Sequence, residues 1–207
     1  RSPNASHPEA NLQFYISEGM RYVMGTLLRV NIQGTNLPAV EQAKDLVLDT
    51  ILRLDEKLSR FRPESELSKI NEGTLNLRDA SQETQDALAL ALLLKEQTNG
   101  AFDPILSPAR WDLGAFGKGF ALDQAKDAAA KIPEVFSFRF DFGGQLVFWD
   151  REDHISEVVV IELPGIPRKD LPEFLMKRRG SISTSAHFER GEHITDPRTG
   201  KQLNVQR

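Results

Sequence analysis

Three observations in the 207-residue chain predict an α+β fold, a mixed sheet packed with helices. Apolar residues recur every three or four positions from Leu37 to Phe61, the period of an amphipathic helix. Residues 135–142, VFSFRFDF, alternate with the period of two that a half-buried strand requires. Helical and strand patterns follow one another without the regular βαβ alternation that builds a parallel sheet.

In chain order, residues 1–13 are polar and proline-containing and read as a flexible tether, leaving one domain over residues 14–207. The run MRYVMGTLLRVNIQG is rich in β-formers and predicts a strand or hairpin over residues 20–33. The helix from Leu37 to Phe61 follows, with Val40, Ala43, Val47, Ile51, Leu54, Leu58 and Phe61 on one face, and Pro63 stops it. RPESELSKIN gives a turn and a short helix. SQETQDALALALLLKEQTNG gives a second long helix, opened by Ser81, with acidic residues in its first turns and Gly100 after its last. It is apolar over most of its surface, so burial is expected.

FALDQAKDAAAKI reads as an alanine-rich helix ended by Pro133. In the strand VFSFRFDF, phenylalanines 136, 138, 140 and 142 share one face, and Ser137, Arg139 and Asp141 the other. Gly143 and Gly144 turn the chain. QLVFW and SEVVVIEL read as further strands, KDLPEFLMKR as a short helix, and GSISTS as another strand edge.

Composition excludes several functions. With no cysteine, the chain has no disulfide, zinc–thiolate centre, iron–sulfur cluster or thiol nucleophile. A net charge of −4 with scattered basic residues argues against nucleic acid or an anionic membrane as the main partner. No apolar run reaches the roughly 20 residues a membrane-spanning helix needs. The compartment stays open: periplasmic or membrane-anchored if a signal preceded Arg1, otherwise cytoplasmic.

Four polar or glycine-rich stretches exceed what packing requires: TNGAFDP, DLGAFGKGF, DFGGQ and STSAHFERGEHITDPRTGK. In the second, glycines 114, 117 and 119 permit close backbone approach, and the amides opening the following helix, with the Lys118 ammonium, suit an anion such as a pyrophosphate. The alternative is a glycine-bearing turn with Lys118 in water, and the pattern is neither a Walker A loop nor G-x-G-x-x-G. Asp103 and Asp112 flank one short loop. They are candidates to bind a cation or ligand hydroxyls, or else a turn residue and a helix cap. His193, between two turns, is a candidate general base; H-x5-H-x2-D through His187, His193 and Asp196 is a poor zinc pattern. Arg198 contacts a phosphate or braces its own loop.

Taken in order, VMGTLLRV, LDEKLSRFRPESELSKIN, GAFDP, DLGAFGKGFALD, FGGQL, ISTSAHFER and HITDPRTG resemble the ApbE family, the FAD:protein FMN transferases. The resemblance runs from about residue 23 to 201 and implies an ApbE-like sheet in a compact, shortened form. It also implies a Mg²⁺-dependent enzyme that joins FMN from FAD to a threonine of an acceptor flavoprotein while AMP departs. Carried over by position, Met24, Phe61, Ala101, Phe102, Asp103, Asp112, Lys118 and Ile194 line the FAD site. Ala115 offers its carbonyl to the metal, and His193 activates the incoming hydroxyl.

The sequence also departs from the family. No D-x-x-x-[ST] helix follows Gly200 to complete a metal site. The segment ILSPARW is short, Ala186 stands for a glycine, and Phe61 for a frequent tyrosine. The alternative expectation is therefore a degenerate relative that binds FAD as a carrier, sensor or interaction module. An uncovered sheet edge makes a homodimer a further expectation.

Overall fold

The computed structural model describes residues 13–107, 110–151, 156–160, 167–177, 179–184 and 195–202. Strands β1 (Tyr15–Val23) and β2 (Thr26–Gly34) form a hairpin in which Val23 pairs with Thr26 across a two-residue turn. Both turn residues, Met24 and Gly25, have positive φ, +47° and +72°. That is the type I′ geometry whose twist matches the flanking strands.

Helix α1 (Leu37–Leu58) starts at Asn36, whose side-chain oxygen accepts the Ala39 amide at 3.1 Å. Of the predicted stripe, Val40, Ala43, Val47, Ile51, Leu54 and Leu58 are buried, whereas Phe61 lies beyond the helix end and is exposed. The helix ends before Phe61 because Ser59 turns to extended backbone. Helix α2 (Glu66–Asn71) is capped by Ser65, which accepts the Ser68 amide at 2.9 Å.

Helix α3 (Gln82–Gln97) corrects an expectation. It buries a single stripe, Thr84, Ala87, Leu88 and Ala91, while Leu90, Leu92 and Leu93 are exposed. Apolar composition permits burial but does not compel it, since one helix face meets the core and the other still meets solvent. Ser81 opens this helix without a side-chain cap; its hydroxyl instead donates to Glu66 at 2.8 Å.

Short strands β3 (Ile105–Ser107) and β4 (Arg110–Trp111) lead to helix α4 (Gly117–Ala129), which packs along α1. Its small residues Ala121, Ala125 and Ala129 are fully buried, which allows close approach of the two helices. Strands β5 (Val135–Phe142) and β6 (Gln145–Asp150) form the next hairpin. Arg151 then closes the end of α4, donating to the carbonyls of Ala130, Ile132 and Val135 at 3.0–3.1 Å.

Strands β7 (Ser156–Val160) and β8 (Glu173–Lys177) pair antiparallel. The stretch KDLPEFLMKR is thus not the expected helix: a 3-10 turn at Arg168–Asp170 precedes the strand. Pro172 biases Leu171 away from helical backbone, and cross-strand pairing with Ser156–Val160 does the rest. Strand β9 (Arg179–Ser183) and the pair β10 (Thr195–Asp196) and β11 (Lys201–Gln202) complete the described elements. Residues 1–12 of the 1–13 tether and the end of SEVVVIEL lie outside the described residues.

The main sheet is antiparallel with order β1-β2-β5-β6-β9. One face carries Leu28, Val30 and Ile32 from β2 and Phe138, Phe140 and Phe142 from β5 into the core with α1 and α4. Phe138 stacks on its cross-strand partner Trp149 at 5.0 Å. Phe136 leaves the predicted face pattern and is half-buried beside Phe14, next to a register shift at Gln33/Gly34. On the other face Arg139 pairs with the buried Asp150 at 3.2 Å. Among the described residues no helix is long and apolar enough to cross a membrane.

Candidate functional site

The turns of the motif-bearing segments meet at one end of the sheet. The β1–β2 turn places Thr26 against Gly143 of the β5–β6 turn, and the Thr184 amide donates to the Gly144 carbonyl at 2.9 Å. Nearby, Asn71 at the end of α2 makes two hydrogen bonds with the backbone of Trp111, at 2.7 and 3.0 Å. The Asp112 amide donates to Pro104 at 2.8 Å. These bonds fix the DLG segment against the GAFDP loop and the short second helix.

A cleft of about 480 Å³ opens here, within the size range of small-molecule sites. Met24, Phe61, Asp112 and Lys118 line it together, so four of the residues singled out in the sequence converge. Lys118 lies in the first turn of α4, at the positive pole of the helix, and its ammonium is 5.8 Å from the Phe142 ring centroid. Asp112 accepts the Gly114 amide at 2.7 Å, so it fixes the glycine turn ahead of α4 while its second oxygen faces Arg60 at 3.4 Å.

Ala101, Phe102 and Asp103 lie in the neighbouring loop and are not among the cleft-lining residues. Phe102 packs against Phe116 at 6.3 Å, which ties this loop to the start of α4. Asp103 accepts the Ile105 amide at 2.9 Å, as a turn residue does, and pairs with Lys95 at 2.7 Å. Burial alone would raise its carboxyl pKa, but Lys95 and the Ile105 amide outweigh that and hold it low. Ala115 sits in the exposed turn between Gly114 and Phe116. His187, His193 and Ile194 lie outside the described residues.

Arg198 braces its own turn. It grips Asp196 through two side-chain hydrogen bonds of 2.9 and 3.0 Å, and these hold the Asp196 carboxyl below its ordinary value. A Cβ on Gly100 would lie 3.6 Å from Arg198, so this turn stands beside the GAFDP loop. Among the described residues, no group of three or more histidines and carboxylates is placed to hold a metal ion.

The sequence reading missed Arg60, Arg62 and Asp55, which also line the cleft. Arg62 pairs with the buried Asp55 at 2.9 Å, and the Arg60 guanidinium lies 4.5 Å from the Phe61 ring centroid. The signal was R-F-R just beyond the C-terminal end of a long helix, where the negative pole of the dipole favours cations.

The fold and the cleft define an α+β protein in which a helix start, a lysine and two arginines border a site suited to an anionic ligand. A model of the ApbE family matches residues 24–111 and 108–206, and the chain belongs to that family. Solved structures that share its fold include three ApbE proteins. The ApbE protein of Thermotoga maritima is 20% identical, with a TM-score of 0.74 over 90% of this chain and 78% of its own. The flavinyl transferase ApbE of Pseudomonas stutzeri, in its apo form, is also 20% identical, with a TM-score of 0.71 over 93% and 77%. The flavin transferase ApbE of Vibrio cholerae is 17% identical, with a TM-score of 0.68 over 93% and 79%. No curated protein matches the sequence.

Proposed function

We propose that this protein is a flavin transferase: it binds FAD in the cleft and transfers FMN to a threonine of an acceptor flavoprotein. The observation that carries the reading is the convergence of Met24, Phe61, Asp112 and Lys118 on one cleft at the start of α4. Family membership and two solved relatives named as flavin transferases support it.

The residues fit a flavin dinucleotide. Phe61, strongly exposed, and Met24 offer apolar surface to an aromatic ring. Lys118 and the positive pole of α4 suit the pyrophosphate, and Asp112 suits a ligand hydroxyl. In the transfer, the threonine oxygen attacks the FMN-side phosphorus, the bond to the bridging oxygen breaks, and AMP leaves. His193 takes the hydroxyl proton. Ala101, Phe102, Asp103 and Ile194 shape the surrounding site.

Magnesium that keeps most of its waters and rides on substrate phosphates needs few protein ligands. Among the described residues, the Ala115 carbonyl, in its exposed turn, would be a ligand for it. When bound, the ion neutralises charge on the phosphate oxygens.

The test is incubation of the protein with FAD, Mg²⁺ and a flavoprotein acceptor, followed by mass spectrometry. A covalent FMN adduct with matching AMP release is expected. FAD binding without either product would mark a carrier or sensor instead, and no FAD binding would overturn the flavin reading.

A further inference from the structure

Two cations border the cleft from the loop after α1, and their situations differ. Arg62 is committed to Asp55, a carboxylate only 7% exposed, at 2.9 Å. Arg60 faces Asp112 through Nε at 3.4 Å, longer than a good charge-assisted hydrogen bond, and keeps a side-chain exposure of 39%. The loop that carries it is held firmly. The Ser65 hydroxyl donates to the Ser59 carbonyl at 2.6 Å, and the Phe61 amide donates to the Ser59 hydroxyl. A held loop thus presents to the cleft a guanidinium that lies against the Phe61 ring at 4.5 Å and reaches Asp112 only at 3.4 Å.

Arg60, Arg62 and Lys118 against Asp55 and Asp112 leave the cleft lining with one net positive charge. A dinucleotide brings a negative charge on each of its two phosphates. If Asp112 keeps Arg60, one cation is withheld from the phosphates and one carboxylate from the ligand's hydroxyls.

We propose that Arg60 and Asp112 form an exchangeable pair: on ligand binding Arg60 leaves Asp112 for the pyrophosphate, and Asp112 is released to accept a ligand hydroxyl. This rests on the flavin reading above. Arg60 is a specificity-determining residue for ligands carrying a diphosphate, while Lys118 provides a second cation lining the same cleft.

The experiment measures binding of FAD, riboflavin and inorganic pyrophosphate, the last in chelator-containing buffer, to the wild type, Arg60→Gln, Asp112→Asn and the double variant. Arg60→Gln should weaken FAD and pyrophosphate about tenfold and leave riboflavin unchanged. Asp112→Asn, which frees Arg60, should tighten pyrophosphate at least about threefold, and this gain should vanish in the double variant. A gain that persists without Arg60 is a general charge effect and overturns the exchange. So does an Arg60→Gln variant that loses riboflavin as strongly as FAD, or that loses neither. A wild type that binds pyrophosphate but not FAD would sink the flavin reading and leave the pair to be judged on pyrophosphate alone.

Discussion

Thr26 leans against Gly143 across the end of the sheet, so closely that a Cβ built on the glycine would lie 2.8 Å from Thr26 Cγ2 and 3.0 Å from its Cβ. The contact joins the β1–β2 turn to the β5–β6 turn and so fixes the wall of the cleft that Met24 belongs to. Gly143 also has φ of +59°, which a side chain resists. The threonine cannot yield, because its Cβ and its branch both stand in the way. Gly143→Ala should therefore lose about 2–4 kcal/mol of stability through strain and overpacking together. Denaturant unfolding reads this directly, and a loss below about 1 kcal/mol would mean that the two turns are not held together.

Met24 occupies the first position of a type I′ turn with φ of +47°, a place that asparagine or glycine takes at lower cost. Met24→Asn should raise stability by about 0.5–1 kcal/mol. If the methionine is kept for its thioether against the flavin, the same change should weaken FAD binding several-fold. Thermal melts with and without FAD separate the two effects. Greater stability with unchanged FAD affinity would remove Met24 from the binding surface.

What was legible in the sequence was what leaves a period or a punctuation mark. The stripe of α1, the alternation of β5 and the Gly143–Gly144 turn are of that kind. The strand Glu173–Lys177 was not legible, because a short apolar run flanked by charges satisfies helix and strand patterns alike, and its partner across the hairpin decides. The outward leucines of α3 were hidden for a similar reason: composition reports what is apolar but not which face meets the core. In the site, Asp112 and Lys118 came from a glycine-rich stretch, and Met24 and Phe61 from the family resemblance alone. Asn71 did not, since its bonds to Trp111 span 40 residues and leave no local trace.

Acid should loosen the junction of α1, α2 and α3. Glu83 accepts Lys57 at 2.6 Å and Arg53 at 2.9 Å; burial would raise its carboxyl, but the two cations prevail and hold it below its ordinary 4.5. Glu66 is lowered likewise, with burial opposed by hydrogen bonds from Thr84 and Ser81. For a carboxylate lowered in the folded state, the stabilisation is complete above the unfolded value and lost as pH falls through the folded one. Glu83→Gln should thus cost about 1 kcal/mol at neutral pH, and the deficit should shrink as pH falls below 4.5. A deficit of equal size in strong acid would assign the effect to packing instead of charge.

Binding and chemistry should separate between Lys118 and His193. The lysine stands in the first turn of a 13-residue helix, at its positive pole, so under the proposed function its charge would act on a bound diphosphate before any reaction begins. Lys118→Met should raise the FAD dissociation constant about tenfold or more and flatten its dependence on salt, because one charge-assisted contact and one screened attraction disappear together. Riboflavin, which carries no phosphate, should bind as before. A general base acts only when the acceptor hydroxyl is deprotonated, so His193→Ala should leave FAD affinity within about twofold while lowering the transfer rate by a factor of about 10² to 10⁴. Titration calorimetry and single-turnover adduct formation on the same two variants distinguish these roles. If His193→Ala weakens FAD as much as Lys118→Met does and the transfer rate at saturating FAD is unchanged, the histidine is a binding residue and the proton goes elsewhere.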